Sequence, residues 1–156
     1  MPQEDPIKLW QHLHGASVHF ALALSLVSIA FDVGSKIFGK KDWRTVGFWS
    51  LVVAVVLSVP AIVSGLWGQL GWFKADPWVT EPAEHLFRHR NFALGGSITL
   101  LLLLLWRSAT SDFGVAHSAR DRKASQAYIL YLAIAVLAAA AMGYTGYLGG
   151  YVARGY

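Results

Sequence analysis

The hydrophobic pattern of this sequence consists of four long apolar stretches separated by short polar segments. The stretches without a formal charge are residues 15–31, 45–73, 91–106 and 124–153. A membrane-spanning helix needs about 20 mostly apolar residues, and the third stretch reaches that length when it begins near Phe87. We therefore expect an all-α, up-and-down four-helix transmembrane bundle that forms one domain over residues 1–156. The expected spans are roughly 15–38, 46–70, 84–107 and 125–149.

Composition supports a membrane protein and excludes several other classes. Charged residues make up 14% of the chain and the mean hydropathy is +0.45, whereas a soluble domain has about 25% charged residues. This composition excludes intrinsic disorder, a coiled coil and an ordinary cytosolic enzyme. The chain has no cysteine, so disulfides, thiolate nucleophiles, iron–sulfur clusters and thioether-linked haem are excluded within it.

The basic residues predict an orientation in the membrane. We call the side on which the N-terminus lies side A and the opposite side side B. With four spans, eight Lys and Arg residues fall on side B, Arg107 among them, and five on side A. Because basic residues are enriched in cytoplasmic loops, we expect side B to be cytoplasmic and both termini periplasmic in a bacterial inner membrane. The net charge of +4 then belongs to loops, and we expect no nucleic-acid binding.

Five of the six histidines fall at the side A end of two spans. His12, His14 and His19 begin the first span, and His85 and His89 begin the third. The first and third helices of an up-and-down bundle are diagonal neighbours, so their histidines can face each other across the core. Two imidazoles suit a metal or a haem. The expected ligand pair is His19 with His89, since His19 lies deepest in apolar sequence, and we expect both of these side chains to be buried in the bundle. The second choice is His14 with His85.

Small and basic residues at the same depth complete the expected haem site. The remaining site residues that we predict are Gly65, Gly68, Gly143, Gly146, Arg88 and Arg90. The glycines would leave room for a macrocycle, and the arginines would pair with propionates. Close helix packing and ordinary surface charge explain the same residues equally well. The side B half of every span lacks histidine, so we expect at most one haem.

Other kinds of site have weaker support in the sequence. His85 and His89, with His14 or His19, could hold copper or zinc without a porphyrin. Asp32 has no catalytic partner nearby in the sequence, and no Ser–His–Asp pattern or internal repeat is visible. His117 lies in a polar side B loop and is not an expected ligand.

Four segments resemble a known family, and two of them are GLWGQLGW after the second span and HLFRHRNFAL at the start of the third. The segment LHGASVHFALAL is similar to the opening H-P-x-x-V-H-F-P signature of small bacterial four-helix membrane proteins of unknown function. The ending GYTGYLGGYVARGY resembles that family's W-x-G-G-x-L-V-Y-x-x-G. By this resemblance His14 and His19 match the two opening histidines and His89 the histidine of helix three. Gly15 and Ala21 stand where the family has proline. The resemblance implies the four-helix fold and no particular activity.

These observations predict a membrane electron-transfer subunit. Haem b would be bound by histidines of helices one and three near the periplasmic face, and the protein would not itself make or break substrate bonds. The expected partners are membrane lipid and a periplasmic redox protein or a larger membrane complex, with quinone as a further electron carrier. The alternatives are a structural subunit of a larger membrane complex, and a protein that binds another metal, such as copper, through its histidines.

Overall fold

The computed structural model of the chain contains four long helices. They are α1 (Pro6–Phe38), α2 (Lys41–Ala75), α3 (Glu81–Ala109) and α4 (Arg122–Arg154). The backbone is described for residues 6–75, 81–109 and 122–154, and side chains for residues 12–68, 84–109 and 126–150. Within these ranges there is no strand, and all four helices are long and apolar enough to cross a membrane. The predicted four-helix transmembrane bundle is confirmed.

The bundle is assembled from two helical hairpins. Gly39 has a φ of +67°, a conformation that glycine adopts without steric cost, and it turns the chain directly from α1 into α2. Helix α1 packs most extensively against α2, and α3 against α4, while contacts between the two pairs are sparser. Helices α1 and α3 are therefore diagonal neighbours, as the sequence predicted. We call α1–α2 the first hairpin and α3–α4 the second.

Two tryptophans mark the depth of the membrane along α2. Trp49 and Trp67 are both 59% exposed on the outer face of the helix. They are 18 positions apart in the sequence, which corresponds to about 27 Å of helix at 1.5 Å per residue, close to the thickness of a bilayer's hydrocarbon core. Exposed tryptophan is typical of the membrane–water interface. Trp67 therefore marks the side A interface and Trp49 the side B interface.

The two hairpins are tied together near side B by a buried ion pair. Arg107 Nη1 of α3 donates to Asp32 Oδ2 of α1 at 2.5 Å, and the two side chains are 8% and 1% exposed. The same Asp32 oxygen accepts a hydrogen bond of 3.0 Å from the Tyr131 hydroxyl of α4. Arg107 Nη2 also donates to the Arg44 carbonyl oxygen of α2 at 2.5 Å. All four helices thus contribute to one polar cluster, which we call the side B cluster.

This cluster changes two interpretations of the sequence. Asp32, for which the sequence shows no catalytic partner, has a structural partner in Arg107, 75 residues further along the chain. Arg107 is buried against that carboxylate and so is not a loop charge. Removing it from the count leaves seven basic residues on side B against five on side A. Side B still has more basic residues than side A, although the difference is smaller. The orientation in the membrane stays a prediction.

Candidate cofactor site

Two imidazoles meet between the hairpins near side A. The rings of His14 on α1 and His89 on α3 have centroids 6.1 Å apart, with their planes inclined at 76°. Both side chains are partly buried. Because these helices are diagonal neighbours, each hairpin brings one ring to the contact between hairpins.

Each ring is fixed by the other helix of its own hairpin. His14 Nδ1–H donates to the Ala61 carbonyl oxygen of α2 at 2.8 Å, and lies 3.2 Å from the Ser64 hydroxyl. His89 Nδ1–H donates to the Thr145 carbonyl oxygen of α4, also at 2.8 Å. Because a carbonyl oxygen only accepts, these bonds place the proton on Nδ1 of each neutral ring and leave an unprotonated Nε2. Among the described residues, neither Nε2 has a hydrogen-bond partner.

A glycine makes room for each ring. A Cβ atom added to Gly65 would lie 2.9 Å from His14 Cε1, and one added to Gly149 would lie 3.0 Å from His89 Cε1. Each glycine follows the residue that supplies the carbonyl by four positions, one helical turn. Since residues i and i+4 share a face of a helix, a side chain there would cover the carbonyl oxygen. The glycine therefore gives the imidazole both space and access to its acceptor.

The two rings line one small cavity. Its volume is about 30 Å³, which is roughly the volume that one water molecule occupies in the liquid. The remaining lining residues are Val18, Ala21, Ser58, Ala61, Ile62, Ala93, Ser97, Met142 and Thr145. The cavity is thus mostly apolar, and its nitrogen bases are the two histidines.

His19 does not join this pair. Its side chain is exposed, and its Nδ1 is 2.6 Å from the Gly15 carbonyl oxygen on the same helix. The expectation that His19 is buried in the bundle is wrong, because His19 lies on a different face of α1 from His14. The structure thus combines one member of each expected pair. His85 is partly buried and His12 is exposed, while His117 lies outside the described residues.

The other predicted site residues have mixed surroundings. An added Cβ at Gly68 or Gly143 meets no atom within 4 Å, and one at Gly146 would lie 3.8 Å from Leu22 Cδ2. These three glycines therefore do not contact the imidazoles, unlike Gly65.

The two predicted arginines lie on the outer surface of α3. Arg88 donates to exposed Glu84 at 2.6 Å, one turn away on the same helix. Arg90 lies over the Phe87 ring, with Cζ 4.8 Å from its centroid, and donates to Asn91 Oδ1 at 3.3 Å. Neither interaction ties the arginines to the imidazoles.

Metal donors other than the two imidazoles are few. Within the described residues there is no group of three or more His, Cys, Asp and Glu side chains placed to share a metal ion. Met142 is the one sulfur-containing side chain that lines the cavity, and it is 6% exposed. A Cβ on Gly96 would lie 2.7 Å from the Met142 sulfur, so Gly96 makes space for the thioether.

The sequence did not single out the residues that orient the imidazoles. The acceptors are the backbone carbonyl groups of Ala61 and Thr145, and every residue has a carbonyl group, so neither residue type signals this role in the sequence. The site residues predicted from the sequence did not include Gly149, because the glycines selected on α4 lie on another face of the helix. A glycine one turn after a small residue, at the depth of a histidine, is the sequence signal that could have identified both pairs of carbonyl group and glycine.

The comparisons with known proteins agree with this fold. No curated protein and no solved structure matches the chain. Residues 11–156 match a family that is described as predicted membrane protein (DUF2231). Since the match includes all four helices and both histidines of the site, the chain belongs to this family of membrane proteins.

Proposed function

We propose that the protein is a membrane electron-transfer subunit that binds one haem b between His14 and His89. The observation that carries this proposal is the pair of neighbouring imidazoles, each held through Nδ1 by a backbone carbonyl oxygen. Metal-binding histidines almost always donate their other ring N–H to a carbonyl, a carboxylate or water. That bond orients the ring and makes Nε2 a stronger base toward a metal.

The separation of the rings suits a single metal atom between them. Two imidazoles on opposite sides of one metal have centres about 6 Å apart, given bonds of ~2 Å and about 1 Å from each nitrogen to its ring centre. The centroid distance here is 6.1 Å. Perpendicular and parallel ring planes both satisfy such an arrangement, so the angle of 76° is compatible with it.

The small number of protein donors favours haem over a bare ion. Structural zinc sites have about four protein ligands, and no cluster of three such donors exists within the described residues. A porphyrin would supply most of the donors to its iron itself, and His14 and His89 would be the residues of the chain that hold it. It would also carry the redox chemistry of iron. The apolar lining limits water at the metal and so influences its reduction potential.

The macrocycle needs more space than the cavity of about 30 Å³ provides. That space lies in the direction in which packing is sparser, between the first and second hairpins. Loading therefore requires lining side chains such as Val18 and Ile62 to repack, while the imidazoles keep their carbonyl partners. A haem held by both His14 and His89 would have no ligand position free for a substrate, which is why we infer electron transfer rather than catalysis.

The depth of the site supports a partner on side A. The Ala61 carbonyl that holds His14 lies six positions before Trp67, which is about 9 Å of helix below the side A interface. An electron can therefore be exchanged with a periplasmic redox protein on that side, with quinone in the bilayer, or with another subunit of a larger complex. This proposal includes the periplasmic orientation of side A and the location in a bacterial inner membrane.

The absorption spectrum and metal content of the purified chain test this proposal. The chain should be produced in cells that make haem and purified in mild detergent. We expect a Soret band, a low-spin spectrum of the ferrous form and one haem b per chain in a pyridine haemochrome assay. Chain that contains neither haem nor stoichiometric metal, and takes up neither on reconstitution, would support a structural subunit and refute electron transfer.

A second candidate function is the binding of copper(I), and the observation that favours it is the position of Met142. Thioether and imidazole are ligands that copper(I) accepts, and Met142 lines the same cavity as both histidines. A single ion also fits the cavity without repacking. Elemental analysis separates the candidates, because this one predicts one copper per chain, no Soret band, and loss of copper in Met142→Ala.

A further inference from the structure

Two cations converge on one buried aromatic ring near side B. Lys36 Nζ of α1 lies 5.7 Å from the centroid of the Tyr128 ring, and Arg44 Cζ of α2 lies 5.9 Å from it. Tyr131 also stacks on this ring, with centroids 6.1 Å apart. Attraction to the ring favours each cation, but two positive charges on the same ring also repel each other.

The acidic residues of the described ranges do not neutralise these two cations. Asp32 is the one carboxylate of the side B cluster, and it already binds Arg107 and Tyr131. Neither Lys36 nor Arg44 has an ion pair among the described residues. Asp42, in the first turn of α2, is exposed and pairs with neither. The Asp32–Arg107 pair and the two cations over Tyr128 together comprise three positive charges and one negative charge, an excess of two positive charges among these groups.

The Arg44 guanidinium also has an unused donor. Its Nε–H is buried and has no hydrogen-bond partner among the described residues, and a buried charged donor without an acceptor is costly. Arg44 lies five positions before Trp49, which places it about 7.5 Å of helix beyond the side B interface. This is the depth of lipid headgroups, where a phosphate could reach the exposed part of the half-buried Arg44 side chain and supply a negative charge.

We propose that Lys36 and Arg44, held over Tyr128, form a binding site for the phosphate of an anionic phospholipid. The acyl chains would lie along the apolar outer surface of the α1–α2 hairpin. Basic sites between transmembrane helices at headgroup depth are a common way of binding anionic lipids. The site is independent of the histidines, and it does not depend on haem binding.

The proposal is tested by native mass spectrometry of the full chain in detergent. The probes are phosphatidylglycerol and phosphatidylcholine with identical acyl chains, each titrated separately. We expect one phosphatidylglycerol to bind more tightly than phosphatidylcholine. In the double variant Lys36→Gln with Arg44→Gln, phosphatidylglycerol binding should weaken about 30-fold, since each cation near a membrane surface contributes about a factor of five.

A matched double variant separates a defined site from a diffuse surface potential. Lys40→Gln with Lys41→Gln removes the same charge from the exposed turn and does not touch the Tyr128 ring. We expect it to weaken binding by less than about three-fold, because exposed charges are screened. Equal losses in both doubles, or equal affinity for the two lipids, would overturn the proposal.

Two further measurements distinguish the remaining explanations. First, the helical content and monodispersity of the double variant must match those of the unchanged chain. Second, the Lys36→Gln single variant, which leaves Arg44 in place, should bind phosphatidylglycerol about five-fold more weakly. Inorganic phosphate should not displace the lipid, because it lacks the acyl chains. Efficient displacement by phosphate would make this an ordinary anion site and refute the lipid assignment.

Discussion

At the scale of single residues, the rotation of α1 decides which histidine faces the bundle. His14 and His19 are five positions apart, which is about 140° around a helix of 3.6 residues per turn. The two side chains therefore cannot both face the interior of the bundle. His14 points at α2 and is anchored there, so His19 is on the exposed surface. Depth in apolar sequence, on which the expected pair rested, says nothing about this angle.

Replacing the ligand histidines should therefore distinguish the two rings of α1. We expect His14→Ala and His89→Ala each to abolish the low-spin haem spectrum, because one remaining imidazole leaves an axial position open. The measurement is the absorption spectrum after purification at equal protein concentration.

The control is His19→Ala, which removes an exposed imidazole with a bond only to its own helix. It should retain a normal spectrum and haem content. A chain that keeps haem without His14 but loses it without His19 would contradict the pairing that the structure indicates.

The glycines beside the rings provide a second test at this scale. A Cβ at position 65 or 149 comes within 3.0 Å of an imidazole carbon, so Gly65→Ala and Gly149→Ala should push the ring off its carbonyl acceptor. Loss of such an orienting bond typically lowers metal affinity by about 10–100-fold. We expect that loss in a haem titration of the reconstituted chain.

Alanine at Gly68 and Gly143 forms the matched control, since an added Cβ there meets nothing within 4 Å. These variants should bind haem with the same affinity as the unchanged chain. Equal effects at all four positions would mean that alanine acts through general helix packing and not through the rings.

At the scale of helices, the two hairpins repeat one arrangement that the amino-acid sequence does not display. A histidine near the start of the first helix donates to a carbonyl late in the second, and a glycine follows that carbonyl by one turn. Ala61 with Gly65 and Thr145 with Gly149 are the two instances. The repeated features are a backbone carbonyl group and a glycine. The other residues around each ring differ between the hairpins, and therefore no repeat is visible in the sequence.

The hairpins are also joined by the side B cluster, and this predicts a strong effect on stability. Asp32→Ala leaves Arg107 buried without its counter-charge, and breaking a buried ion pair typically costs about 3–5 kcal/mol. We expect a loss of that order in the free energy of unfolding, measured by denaturant titration in detergent micelles.

The exposed pair of Arg88 with Glu84 is the comparison for that experiment. Its side chains are 56% and 72% exposed, so Glu84→Ala should change stability by less than about 1 kcal/mol. The double variant Asp32→Leu with Arg107→Met should recover much of the loss, because apolar replacements of a buried pair are often neutral. Failure to recover would mean that Tyr131 and the Arg44 carbonyl also depend on the charges.

At the scale of the whole molecule, the sequence predicted the fold and the end of the bundle at which the candidate site lies. Length and hydropathy suffice for this, because a bilayer demands long apolar helices whose backbone bonds are satisfied internally. They do not show which face of each helix is inside, since the lipid side is as apolar as the interior. Residues such as Val56 and Leu137 are 60% and 70% exposed, so no polar face marks the outside.

Orientation in the membrane is testable because the chain has no cysteine. We expect Gln3→Cys to react with a membrane-impermeant thiol reagent added outside intact spheroplasts, and Ser118→Cys to react only after lysis. The reason is the excess of basic residues on side B, which remains after Arg107 is assigned to the bundle. The reverse labelling pattern would place both termini in the cytoplasm.

The ion pair between Asp32 and Arg107 also has a consequence for synthesis. The two residues are separated by 75 positions, and a ribosome that adds about 5–20 residues per second needs roughly 4–15 s to reach the second after the first. During that interval the nascent first hairpin carries an acid whose partner does not yet exist. Chains that stop before α3 should therefore be recognised as unfinished and degraded, while the completed bundle conceals the charge.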